Sequence, residues 1–115
     1  MIGETLPEGV EVFELSADAS PEILLLYLNV LRTLAIHPKI LIIRFNQIKK
    51  IDPTAVRVLN EFIRQTAGKG IHIIFSDVSF SLKNQLENNF LLSQIGEDNI
   101  FSTLKNALVK AEKLV

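Results

Sequence analysis

The chain has no cysteine and no tryptophan among its 115 residues. Without cysteine there are no disulfides, thiolate metal sites or cysteine nucleophiles, and a reducing compartment fits. An excess of one charge is also missing, because 12 basic residues face 13 acidic ones and leave a formal net charge of −1. Lys49-Lys50 is the basic pair that stands out. The electrostatic footprint that holds DNA or RNA is therefore absent, and nucleic acid is not expected as a partner. Long apolar runs are lacking as well. The longest strongly apolar stretch, Ile23 to Leu28, is broken by Asn29, whereas a spanning helix needs about 20 residues. A soluble piece with no direct membrane insertion is expected. Met1 to Glu11 is acidic and carries Pro7 and Gly9, so it lacks the basic start and apolar core of a secretory signal.

What is present is an ordinary globular balance, with 48% hydrophobic and 22% charged residues. The length suits one domain over 1–115, with 1–8 as a linker leading into it. A chain of this size buries roughly two-thirds of its unfolded surface and can fold without staples.

Hydrophobic periodicity orders the elements. Gly9 to Leu15 alternates apolar and acidic residues, which predicts a one-sided or edge strand whose wet face carries Glu11 and Glu14. Ser20, Pro21 and Glu22 form a helix start, and the helix runs to about Ile36, ahead of Pro38. Its leucines, isoleucines, tyrosine and valine spread well beyond one stripe, too many for one-sided burial. Lys39 to Phe45 reads as a central strand covered on both faces. Asp52 caps and Pro53 opens the cleanest amphipathic helix, with Ala55, Val58, Leu59, Phe62, Ile63 and Thr66 on one side and Gly68 and Gly70 at its end. Ile71 to Phe75 is a second buried strand. Ser79 or Ser81 caps a helix containing Leu82, Leu86 and Phe90, Asn99 to Phe101 is a short apolar touch-down, and Ser102 caps a last helix with Leu104, Ala107, Leu108 and Ala111 inward. Alternating strands and helices predict an α/β fold with a mainly parallel sheet and right-handed crossovers.

Chemistry-bearing candidates are few. His37 and His72 lie far apart, with no carboxylate or second histidine at metal-ligand spacing, so no metal is expected. Gly68-Lys69-Gly70 ends a helix and precedes a strand, the reverse of a phosphate-cradling loop. Two sites remain. Ser76 and Asp77 follow a buried strand, where ligands of parallel sheets gather. Asp52 and Thr54 stand at a helix start whose amides face outward, an arrangement that suits an anion. The plain alternative at Asp52 is N-capping alone, worth about 1 kcal/mol to the fold.

Ile51-Asp52-Pro53-Thr54-Ala55 followed by Val58-Leu59 resembles the signature turn and helix of STAS domains. The resemblance continues through Gly68-Lys69-Gly70-Ile71, Ile73-Ile74-Phe75, Leu86 and Leu91 to Gly96. It ends in Gly96 to Phe101 with Ala107-Leu108, which is similar to the end of bacterial SulP transporter tails. Leu6 to Val10 also looks like the lead-in from such a transporter. The resemblance implies a STAS-like sheet of four to five mainly parallel strands with about four helices, mostly on one face. It further implies no catalysis and no cofactor. The expected role is that of a regulatory or interaction domain of a SulP-type anion (sulfate) transporter, cytoplasmic and at the inner face of the membrane. In the antagonist branch of the family a serine just after the signature aspartate is phosphorylated. Here that position is Pro53, and the adjacent hydroxyl is Thr54, the candidate phosphoacceptor. Transporter tails also carry an apolar second strand, which Ala17 to Ser20 is too short and polar to supply.

The expected partner is the transmembrane domain of the same transporter or another copy of the domain, met through Leu25, Leu28 and Arg32 on the apolar helix. The alternatives are a free-standing antagonist-like signalling protein and a small module binding an anion or nucleotide at Asp52–Thr54.

Overall fold

The computed structural model describes residues 6–15, 22, 25, 26, 29, 30, 33, 37–88 and 94–115. Three parallel strands form its sheet: β1 (Val10–Glu14), β2 (Ile40–Arg44) and β3 (His72–Ser76), in the order β1-β2-β3. Their register aligns Val10 with Ile40 and His72 at one end, and Glu14 with Arg44 and Ser76 at the other. Gly9 sets up the first of these ends. It has φ +85°, a region open to glycine, and its carbonyl accepts from the amides of Lys39 at 2.8 Å and Ile40 at 3.0 Å.

The helices are α1 (Pro53–Gly68), α2 (Phe80–Asn88) and α3 (Leu104–Leu114), with a 3₁₀ turn at Glu97–Asn99. Because strand side chains alternate, β2 feeds both faces of the sheet. Leu41, Ile43 and Phe45 join Ile73 and Phe75 against Leu59, Phe62 and Ile63 of α1 and Leu82 and Leu86 of α2. Ile40 and Ile42 join Val10 and Ile74 against Ala107 and Ala111 of α3, whose short side chains bring that helix close to the sheet. Ile40 to Ile43 are all at most 2% exposed, as the unbroken apolar run predicts. Each such side chain contributes about 1.5–3 kcal/mol relative to leaving it in water.

The α/β class and the parallel sheet are as expected, while the counts differ. Among the described residues the sheet has three strands rather than four or five, and Ile100 touches β3 through one parallel bridge to Phe75. Three α-helices have defined bounds; two cover one face and α3 the other. Glu22, Leu25, Leu26, Asn29, Val30 and Thr33 are helical. The expected bounds of that helix and the polar stretch 17–20 lie outside the described residues, as do Phe90 and 91–93.

Two details are corrected. Glu11 and Glu14 do not share a face, because residues three apart in a strand point oppositely. Phe13 and Leu15 pack with the α1–α2 side, whereas Val10 and Val12 pack with the α3 side. The last helix is capped by Thr103, not Ser102: Thr103 is extended (φ −134°, ψ 152°) and its hydroxyl accepts from the Asn106 amide at 3.2 Å. At the helix before it, Ser79 is the residue that caps, accepting from the Leu82 amide at 3.1 Å.

Candidate functional site

Parallel strands deliver their following loops to one end of the sheet, and both candidate pairs sit there. After β2 the chain turns through Asn46 and Gln47 and descends to Ile51, which is buried. Gln85 of α2 grips that residue from both sides: its Oε1 accepts from the Ile51 amide at 2.8 Å, and its Nε2 donates to the Ile51 carbonyl. The grip fixes where α1 begins. Asp52 is then extended (φ −73°, ψ 161°) and its Oδ1 accepts from the Ala55 amide at 2.9 Å, with Pro53 as the first helical residue. Asp52, Pro53 and Thr54 are all exposed, so Thr54 presents its hydroxyl on an open first turn that holds no acid.

The loop after β3 is built differently. Ser76 is fully buried, and Asp77 adopts the left-handed backbone (φ 57°), which aspartate tolerates better than most residues. The Asp77 carboxylate takes the Nε donor of Arg44 and, at 3.4 Å, the Ser76 hydroxyl. Arg44 also lies 3.9 Å from Glu14, which accepts from Asn46 at 3.3 Å. Glu14, Arg44 and Asp77 thus form a charge row across the C-terminal ends of the three strands. Asp77 is the least exposed of the three, with 17% of its side chain accessible against 29% for Arg44 and 51% for Glu14. Both contacts fall on Oδ2, so one oxygen of this carboxylate is engaged by a guanidinium and a hydroxyl.

Asp52–Thr54 and Ser76–Asp77 therefore share an end of the sheet, yet no hydrogen bond or ion pair joins them. Reasoning from sequence missed Arg44, Glu14 and Asn46. A signal for Arg44 existed, since a charged residue closing a fully apolar strand has to find a partner at the strand end. Among the described residues no group of three or more histidines and carboxylates is placed to hold a metal ion. His72 bonds through Nε2 to Asn99 Oδ1 at 2.8 Å at the opposite end of the sheet. Of the three interaction candidates, Leu25 is 49% exposed, alongside Leu26 at 62% and Val30 at 51%; Leu28 and Arg32 lie outside the described residues. No helix among those residues is long and apolar enough to cross a membrane.

Comparison with known proteins matches this architecture. The chain is similar to a sulfate transporter family protein from Wolinella succinogenes, with 27% identity, a TM-score of 0.89, and coverage of 96% of this chain and 91% of that one. It shares the fold of the STAS domain of a SulP transporter from Vibrio cholerae, at 24% identity and a TM-score of 0.90 over 96% of this chain and 86% of that one. A part of SLC26A9 shares it too, at 14% identity and a TM-score of 0.62, over 84% of this chain and 16% of that protein. The search of curated proteins gives no match. The STAS domain model matches residues 12–107, and the chain belongs to the STAS domain family.

Proposed function

We propose that this domain is a non-enzymatic regulatory and interaction module of a SulP-type anion transporter, acting through protein–protein contacts on the cytoplasmic side of the membrane. The observation that carries the reading is the helical segment with Leu25, Leu26 and Val30, each about half or more exposed. Single exposed apolar residues are common, but three on one segment of a domain with an otherwise ordinary balance suit a surface that is covered in the assembled protein. The likeness to the Wolinella sulfate transporter family protein along nearly its whole length supports an anion transporter as the host. The partner on this face is the transmembrane part of the same transporter. The ion-paired state of Asp77 speaks for a structural rather than a catalytic role of the Ser76–Asp77 corner.

The test is to replace Leu25 and Leu26 with aspartate and measure association of the chain with the membrane part of a transporter that carries it. We expect association to weaken at least tenfold with the fold intact, and unchanged association would remove this reading.

A second reading has one observation behind it. Thr54 is exposed on the first turn of α1, where a phosphate would sit at the positive end of the helix dipole. Thr54 is accordingly proposed as the site of regulatory modification, and Asp52 as the cap that holds the turn open to it.

A further inference from the structure

A cavity of about 200 Å³ opens at the end of the sheet away from Asp52 and Asp77, between the C-terminal half of α1, the start of β3 and the 94–99 segment. Its apolar wall is Ile63 and Ala67 of α1 together with Ile95. Hydrogen bonds pin its rim. His72 Nε2 meets Asn99 Oδ1 at 2.8 Å, Asn99 Nδ2 donates to the Ile95 carbonyl at 2.9 Å, and Gln94 donates to Asn60.

Ile71 and Ile73 form the third side. Backbone groups of a strand alternate between its two edges. The His72 amide donates to the Lys39 carbonyl and the Ser76 carbonyl accepts from the Phe45 amide, so residues 72, 74 and 76 turn toward β2. The Ile71 carbonyl and both the amide and carbonyl of Ile73 therefore point to the outer edge. None of these three groups has a partner there among the described residues. Ile71 is only 3% exposed and Ile73 6%, and backbone groups so placed call for a hydrogen-bonding partner.

A row of acceptor, donor and acceptor beside an apolar wall selects the ligand. No lysine, arginine or carboxylate is among the described residues that line the cavity, so a phosphate or other ion finds no counter-charge there. The open edge is also too short for a strand to add to it. Phe75 already accepts from the Phe101 amide at 2.9 Å and Asn99 stands at His72, whereas a typical strand has about five or six residues. One amide fits that length. We propose that this cavity binds a small neutral molecule in which a lactam or carboxamide adjoins a compact apolar body. Its carbonyl accepts from the Ile73 amide, its N–H donates to the Ile71 or Ile73 carbonyl, and its apolar part lies against Ile63, Ala67 and Ile95. The cavity is smaller than the roughly 300 Å³ at which drug-sized pockets begin, so the ligand is small and its affinity weak.

Titration of the isotope-labelled chain with ε-caprolactam, followed through its amide NMR shifts, tests the proposal. The Ile73 amide should move most and saturate, with smaller shifts at Ile71 and at the Asn99 side chain. N-methylcaprolactam keeps the ring and the carbonyl but has no donor, and should bind about fivefold more weakly, the effect of one lost hydrogen bond. Ala67→Phe, at an exposed position on the cavity wall, should abolish the Ile73 shift with circular dichroism unchanged. The two lactams are compared on the wild-type chain, so that comparison decides the matter even where the variant does not fold. Shifts that fail to saturate, that centre away from Ile73, or that are equal for the two lactams would each overturn the proposal. So would a capped extended peptide that displaces caprolactam and shifts all of His72 to Phe75, which is the mark of strand addition. The site involves none of Leu25, Leu26 and Thr54, so its failure leaves both readings of the function standing.

Discussion

The turn at Asp52–Thr54 and the corner at Ser76–Asp77 occupy equivalent places, each following a parallel strand at the same end of one sheet, and each joins an aspartate to a hydroxyl. They are nevertheless opposites. Asp52 uses its carboxylate on one backbone amide and leaves Thr54 facing water. Asp77 is locked to Arg44 and Ser76, with a buried hydroxyl and a left-handed backbone. Position at the carboxyl end of a sheet therefore does not make a ligand site by itself. What decides is whether the local charges are already satisfied, and here a single arginine closing β2 satisfies one loop and leaves the other alone.

The largest test of this contrast concerns what the two loops share. Phe45 and Phe75 lie beneath them, edge to face with centroids 4.7 Å apart, and both are fully buried. Phe75→Ala should cost about 3–5 kcal/mol in urea denaturation, the usual range for a buried phenylalanine. Amide shifts should appear at both Ala55 and Asp77. A loss below about 1 kcal/mol would mean that the site collapses freely and that the loops rest on something else.

Next in size is the lock itself. Arg44→Leu strands the Asp77 carboxylate, mostly buried, without its cation. Removing one partner of a fully buried pair costs about 3–5 kcal/mol; with Arg44 29% exposed, about 1–3 kcal/mol is expected here. Asp77→Asn in the same chain should recover part of that loss, since asparagine keeps the left-handed backbone and removes the stranded charge. Additive losses in this double-mutant cycle would show that the pair is not coupled. Asp52→Ala comes third, at about 1 kcal/mol for the lost cap, whereas Asp52→Asn should cost only a few tenths. Thermal denaturation of the two variants side by side measures the difference.

The order of these effects also explains what could be read from sequence. Continuous apolar runs located β2 and β3, and a 3.6-residue period located α1, to within a residue or two, because β2 is buried on both faces and α1 on one. Asp52 was legible for the same reason: capping is local, and Asp-Pro ahead of an apolar stripe specifies it. The Arg44–Asp77 pair spans 33 residues of sequence and exists only once β2 and β3 are in register. Charge sequence alone left Asp77 looking available. The cap of the last helix was missed by one position because Ser102 and Thr103 are chemically alike. Which of them accepts the Asn106 amide depends on where Phe101 leaves β3, whose Phe75 carbonyl accepts the Phe101 amide at 2.9 Å.

The smallest expected effect belongs to Thr54, and it sharpens the comparison most. The first turn of α1 carries no acid beyond the cap, so a negative charge there meets the positive end of the helix dipole, with the Asp52 carboxylate beside it. Thr54→Glu, as a mimic of modification, should leave the fold intact and raise stability by about 0.3–1 kcal/mol at low ionic strength. The gain should fade as salt rises toward 1 M, where the Debye length falls to about 3 Å. The same charge placed at Ser76 has no water and a carboxylate neighbour at Asp77, so Ser76→Glu should unfold what Thr54→Glu supports. Thermal melts of the pair at two salt concentrations decide it. A Thr54→Glu chain that is less stable than wild type by about 1 kcal/mol or more would show that the open turn has no more room for a charge than the closed corner, and the contrast between them would be lost.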